Sequence, residues 1–230
     1  MKTHDKNIYV LGDVHADFKR LNRFIDMWNP DIILQCGDFG YWPALETIYQ
    51  VNTINNNDTK IYFCDGNHED HYSLKDAIKK NKTEVARNVF YMPRGSVLAL
   101  PDGRKVLFVG GAFSIDWQHR IDGRDWFSED ELLKEKDIQW IYDMREGDID
   151  IVISHTAPQE FKINLGWGPD ENIDPSRKVL SYILEKLKPP KWYFGHWHMK
   201  KSGEHIFRNN KSCKWNCVGA NYHECFWLKL

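Results

Sequence analysis

Five short polar clusters each follow a short apolar run rich in β-branched and aromatic residues. They are Gly12-Asp13-Val14-His15 after Ile8–Leu11, Gly37-Asp38 after Ile32–Cys36, Gly66-Asn67-His68-Glu69 after Ile61–Cys64, Ser154-His155 after Ile149–Ile153, and Gly195-His196-Trp197-His198 after Trp192–Phe194. Runs of this length and composition are the pattern of buried strands. Carboxylate, amide and imidazole groups placed just past several such strands meet at one rim, so the pattern points to a single site assembled from distant parts of the chain.

Helical patterns alternate with these runs through the first third. Ala16–Trp28 places Phe18, Leu21, Phe24, Ile25 and Trp28 on one face and is stopped by Pro30. A second helix is expected after Pro43 and a third from about Tyr72 to Lys80. The pattern then changes: Val89–Met92, Ser96–Leu100 and Arg104–Val109 read as strands, the last two joined by the turn Pro101-Asp102-Gly103. Ser128 and Glu131 form a capping-box pattern that predicts a helix to about Arg145, and Asp174-Pro175 opens another that ends before Pro189-Pro190. Three more strands are expected at His205–Phe207, Trp215–Val218 and Cys225–Leu228. Two sheets with helices outside both fit this mixture better than one wound sheet, and 230 residues suit a single domain over residues 1–230.

A net charge of −2 gives no polyanion-seeking surface, so nucleic acid is neither implied nor excluded. The polar start Met1–Lys6 runs straight into a four-residue apolar stretch, which predicts neither signal peptide nor membrane span and a cytoplasmic protein. Five cysteines form an odd set in a chain too long to need stapling, which favours reduced thiols. Cys213, Cys217 and Cys225 lack the paired spacing of a zinc site, and Cys36 and Cys64 read as core residues.

The donor types in the five clusters favour Mn, Fe, Co, Ni or Zn over calcium. They are also too many for one ion. Two ions about 3.5–4 Å apart, bridged by a carboxylate, can activate a water and stabilise charge building on a phosphoryl oxygen. Hydrolysis of a phosphate ester is the chemistry that follows.

In order, the clusters resemble the D-x-H, G-D, G-N-H-[ED], strand-end His and G-H-x-H motifs of the calcineurin-like metallophosphoesterases, from Asp13 to His198. The resemblance implies an α/β fold, a four-layer αββα sandwich with two mixed sheets flanked by helices. It implies a centre of two divalent ions, manganese favoured, at the sheet edges. Asp13, His15 and His198 would hold one ion, Asn67, His155 and His196 the other, with Asp38 bridging; His68 would face the scissile ester. Standing alone, His155 would read as a surface or hydrogen-bonded histidine and Asn67 as a turn residue. Asp17, Asp65, Glu69 and Asp70 would support the ligand imidazoles.

Departures from the family pattern narrow the substrate. Ala16 stands where glycine usually follows D-x-H. The sequences Gly37–Pro43 and Asp65–Glu69 lack the two arginines with which the Ser/Thr phosphoprotein phosphatase branch grips phosphate. Arg120 and Arg124, with Trp117 and Trp126, lie in a stretch from Gly110 to Phe127 that could overhang the site, clamp phosphate and stack on a base. The alternative for that stretch is internal salt bridges and core cover, and Trp167 is either rim or packing. The expected substrate is a phosphate ester, nucleotide-like compounds among them, with a phosphodiester favoured over a phosphomonoester or phosphoprotein. A non-enzymatic scaffold on the same fold is the rival from another class.

Overall fold

Residues 6–43, 50–56, 58–163, 173–219 and 227–230 are described in the computed structural model. Twelve strands and three α-helices form within them: β1 (Ile8–Leu11), α1 (Phe18–Trp28), β2 (Ile32–Gln35), β3 (Lys60–Phe63), α2 (His71–Lys79), β4 (Glu84–Ala86), β5 (Val89–Tyr91), β6 (Val97–Ala99), β7 (Lys105–Val109), β8 (Ile151–Ser154), α3 (Ser176–Leu187), β9 (Lys191–Phe194), β10 (Lys200–Ile206), β11 (Ser212–Val218) and β12 (Trp227–Lys229). One sheet has the order β12-β1-β2-β3-β5-β4 and the other β10-β11-β9-β8-β7-β6. In each sheet four central strands run parallel, with an antiparallel strand on either edge.

Central strands buried on both faces need apolar residues at every position, and β1, β2 and β8 are buried throughout. Because side chains alternate across a strand, each run feeds two cores. Tyr9, Leu11, Ile33, Ile61 and Phe63 face outward to meet Phe18, Leu21, Phe24 and Ile25 of α1 and Leu74 of α2. Ile8, Val10, Ile32 and Leu34 face inward against Val106, Phe108, Ile151 and Ile153 of the second sheet. On the far side Leu107, Val152, Trp192 and Phe194 pack on Leu180, Ile183, Leu184 and Leu187 of α3. Three cores in succession make four layers, αββα. Each fully buried aliphatic or Phe side chain contributes about 1.5–3 kcal/mol, so the layers are held chiefly by these alternating strands.

The helix ends follow their sequence signals. Asp17 accepts the Arg20 N–H at 3.0 Å and Asn29 closes α1 in the left-handed region at φ 42 before Pro30. Asp70 caps α2 and the Asp174 carboxylate takes the Ser176 N–H at 2.9 Å. The expected helix from Ser128 to Arg145 does not form. Glu131 turns its carboxylate into Ser114 instead of back to Ser128, and only 3₁₀ turns appear, over Glu135–Asp143, with a break at Ile138. Remote polar partners outcompete the local cap here. β10 begins earlier than the expected 205–207 strand, and β4 had no counterpart in the sequence pattern. The helix expected after Pro43, Trp167 and Cys225 lie largely or wholly outside the described residues. Cys213 and Cys217 sit in the apolar core beneath α3, where burial pushes both thiols up to about 12, a poor setting for thiolate ligands.

Candidate metal centre

All five clusters leave the carboxyl ends of parallel strands, β1, β2 and β3 in one sheet and β8 and β9 in the other. The chain must turn sharply there, and it does so at a cost. His15, Asp38, His196 and His198 adopt positive φ of 48, 52, 66 and 46°. Non-glycine residues held in such conformations cost on the order of 1–3 kcal/mol each and persist where the surroundings over-determine them. Gly37, Gly66 and Gly195 provide the clearance. A Cβ at Gly66 would stand 2.1 Å from Asp38 Oδ1, one at Gly195 2.0 Å from Asp13 Oδ1, and one at Gly37 2.6 Å from His155 Nδ1.

Donor atoms converge in three overlapping groups, Asp13/His15/His198, His15/Asp38/His68 and Asp38/His155/His196, each with its atoms within 4.8 Å of one another. Asp38 lies in the middle: Oδ1 is 3.2 Å from His155 Nε2, and Oδ2 is 3.7 Å from His15 Nε2 and 4.0 Å from His68 Nε2. Asp13 Oδ2 stands 3.3 Å from His198 Nε2. The His155 Nδ1–H donates to the Cys36 carbonyl at 2.8 Å, which turns Nε2 inward, 3.0 Å from Asn67 Oδ1. His15 Nε2 and His198 Nε2 face each other at 3.3 Å.

Two buried carboxylates draw positive charge to the cluster. Asp13 and Asp38 are each 1% exposed. Burial alone would raise Asp38, but His155 and His68 hold it well below the usual carboxylate range. Burial alone would lower His155, yet the Asp38 and Asp13 charges push it up to about 10. Burial, aided by the His155 charge, pushes His196 down to about 3, leaving a neutral ring with a free lone pair. Two ionised, buried carboxylates ringed by imidazole nitrogens are a donor set suited to first-row divalent ions.

His68 opens toward the loop that follows β7. Arg120, only 9% exposed at its side chain, packs Nη2 against both ring nitrogens at 2.6 and 3.0 Å and also donates to Asp116 at 2.9 Å. Burial is the main influence on His68 and lowers it; Asp38 pulls the other way and Arg120 reinforces the burial. Of the other three loop residues, Arg124 is 69% exposed at its side chain and pairs with Asp125 at 3.1 Å, while Trp117 and Trp126 pack on each other with ring centroids 5.6 Å apart. Only Arg120 reaches the cluster among these four.

Supporting residues differ from those expected. Asp17 and Asp70 cap helices. Asp65 is buried in a pair with Arg94 at 2.7 Å and accepts the Tyr91 hydroxyl at 3.1 Å. Glu69 accepts the backbone N–H groups of Phe39, Gly40 and Gly66, holding the turns that carry Asp38 and Asn67 instead of any ring. Two residues that sequence reasoning missed, Ser114 and Glu131, reach Asn67: its Nδ2 donates to Ser114 Oγ at 3.1 Å, and Ser114 Oγ donates to Glu131 at 2.7 Å. The two stand 17 residues apart, and no local pattern in the sequence links either of them to Asn67.

No curated protein matches the chain in sequence. A solved crystal structure resembles it in fold at a TM-score of 0.59 and 15% identity, over 97% of this chain and 95% of the other. GAP50, the anchor in the inner membrane complex of Plasmodium, is a looser match at a TM-score of 0.46 and 12% identity, over 91% of this chain and 70% of its own. The sequence pattern of the calcineurin-like phosphoesterases matches residues 6–200, a stretch that contains every strand-end cluster, and the chain belongs to that family.

Proposed function

We propose that this chain hydrolyses phosphate esters at a centre of two divalent ions and prefers phosphodiesters to phosphomonoesters. The observation that carries the reading is the position of Asp38, whose two carboxylate oxygens face different groups of imidazoles. On this reading Asp13, His15 and His198 would hold one ion, Asn67, His155 and His196 the other, and Asp38 would serve both; manganese is the first candidate. Bound ions of this kind supply a Lewis acid for the phosphoryl oxygen and a water acidic enough to attack near neutral pH. Arg120 offers a guanidinium fork to the phosphate. An ester that draws Arg120 off His68 exchanges a cationic neighbour for an anionic one, which favours the protonated ring that a leaving oxygen needs.

The diester preference rests on charge. A phosphomonoester dianion is usually met by several cationic side chains, whereas Arg120 is the one guanidinium in contact with the cluster among the described residues. We read the chain as one domain working in the cytoplasm, which the free cysteines at 36, 64, 213 and 217 suit. No helix among the described residues is long and apolar enough to cross a membrane.

The test uses protein stripped by chelator and reloaded with Mn²⁺. Bis-nitrophenyl phosphate should be cleaved more efficiently than the mono-nitrophenyl ester, Arg120→Ala should raise KM with the ions retained, and Asp38→Asn should lower ion occupancy and abolish turnover. A monoester preference defeats the diester reading alone. Wild-type protein that binds no divalent ion, or an Asp38→Asn variant with full activity, defeats the two-ion centre.

A further inference from the structure

An asparagine ligand poses a problem that aspartate does not. Its two ends have nearly the same shape, but only the amide oxygen can donate a lone pair to a cation, and the NH₂ end would repel one. Something must fix which end faces inward. Asn67 is 4% exposed, and its Nδ2 lies 3.1 Å from Ser114 Oγ, itself fully buried. Ser114 offers two donors to Glu131, its N–H to Oε1 at 3.0 Å and its hydroxyl to Oε2 at 2.7 Å. An ionised carboxylate only accepts, so the single hydroxyl proton of Ser114 points at Glu131 and its Oγ is left as an acceptor toward Asn67. An acceptor at that place admits only the NH₂ end. The Asn67 oxygen is thereby turned to His155 and the cluster.

The relay is built on a fixed base. The Glu131 carbonyl accepts from Ala112 N at 3.0 Å and from Arg94 Nη2 at 3.2 Å, and Arg94 is anchored on Asp65, two residues before Asn67. Both ends of the relay are therefore tied to the carboxyl end of β3.

We propose that Ser114 and Glu131 are positioning residues that lock the Asn67 amide with its oxygen toward the ion, an inference that rests on Asn67 being a ligand. Glu131→Gln is nearly isosteric but brings an NH₂ that can donate to Ser114 Oγ, which lets the serine proton turn to Asn67 and favours the flipped amide. Calorimetric titration of the metal-free protein with Mn²⁺ should show one of two binding steps weakened roughly 10–100-fold, the range seen when supports of metal ligands are removed, with the other step and the melting temperature of the metal-free protein little changed. Ser114→Ala should weaken the same step. In an Asn67→Asp background, where either carboxylate oxygen serves and the freed serine proton can donate to the other, Glu131→Gln should cause no loss on that step. Wild-type binding in Glu131→Gln, or an equal loss in the Asn67→Asp background, overturns the relay while the ligand reading stands. Wild-type binding in Asn67→Ala overturns both.

Discussion

Ala16 follows His15 into the left-handed region at φ 58, at the position where the family pattern carries glycine. Its methyl is 6% exposed and packs in the core beneath α1. The left-handed backbone costs an L-residue roughly 1–2 kcal/mol, while a glycine there would lose about 0.8 kcal/mol of buried methyl and about 0.4–1 kcal/mol through the freer unfolded chain. The terms offset, so Ala16→Gly should leave unfolding free energy within about 1 kcal/mol of wild type. Ala16→Val combines a β-branched residue at positive φ with overpacking and should cost about 2 kcal/mol or more by urea titration; a neutral valine would show that the turn is slack. His68 belongs to the same scale. General acid catalysis contributes 10²–10⁴-fold, mostly where the leaving oxygen is a poor leaving group. His68→Ala should keep its ions and lose more rate on an alkyl ester than on a nitrophenyl ester, and equal losses would make the residue a positioning group.

Among the elements, α2 carries a pH-sensitive start. His71 is its first residue, 4% exposed, with Nε2 3.1 Å from the Gly66 carbonyl in the turn that carries Asn67. Burial pushes it down to about 4. A histidine whose folded pKa lies below its unfolded one stabilises fully above about pH 6.5, and that stability is lost as pH falls toward 4. The size is on the order of 3 kcal/mol. Measured in chelator, wild type should lose that much more stability than His71→Gln between pH 7 and pH 4; parallel pH profiles would exclude His71 as the cause. No motif in the sequence includes this residue. What was legible at this scale was whatever depends on local pattern: the central strands from their apolar runs, α1 from its spacing and Pro30, the hairpin from Pro101-Asp102-Gly103. The segment from Ser128 to Arg145 was not, because Glu131 is committed to Ser114, 17 residues back, and no local signal records that partner. The same distance hid the relay to Asn67, whereas the candidate ligands stood out because each follows its strand at once.

Across the whole molecule, the candidate centre draws Asp13, Asp38 and Asn67 from one sheet and His155, His196 and His198 from the other. Ions bound there join the two inner layers at one rim. Ligand at a thousandfold above its dissociation constant stabilises by about 4 kcal/mol, and for a domain of this size chelation should lower the melting temperature by on the order of 10 °C; an unchanged melt would mean that no ion spans the sheets. The same rim shows why the clusters belong together. The glycine of the third cluster is the hollow into which the second cluster's carboxylate fits, the glycine of the fifth houses the first cluster's, and the glycine of the second makes way for the fourth cluster's ring. Three of the five motifs thus spell out, in a residue without a side chain, the shape of a neighbour far away in sequence. A side chain gained at Gly37, Gly66 or Gly195 would displace a candidate ligand carried by a different strand, so a change in one motif is felt in the geometry of another.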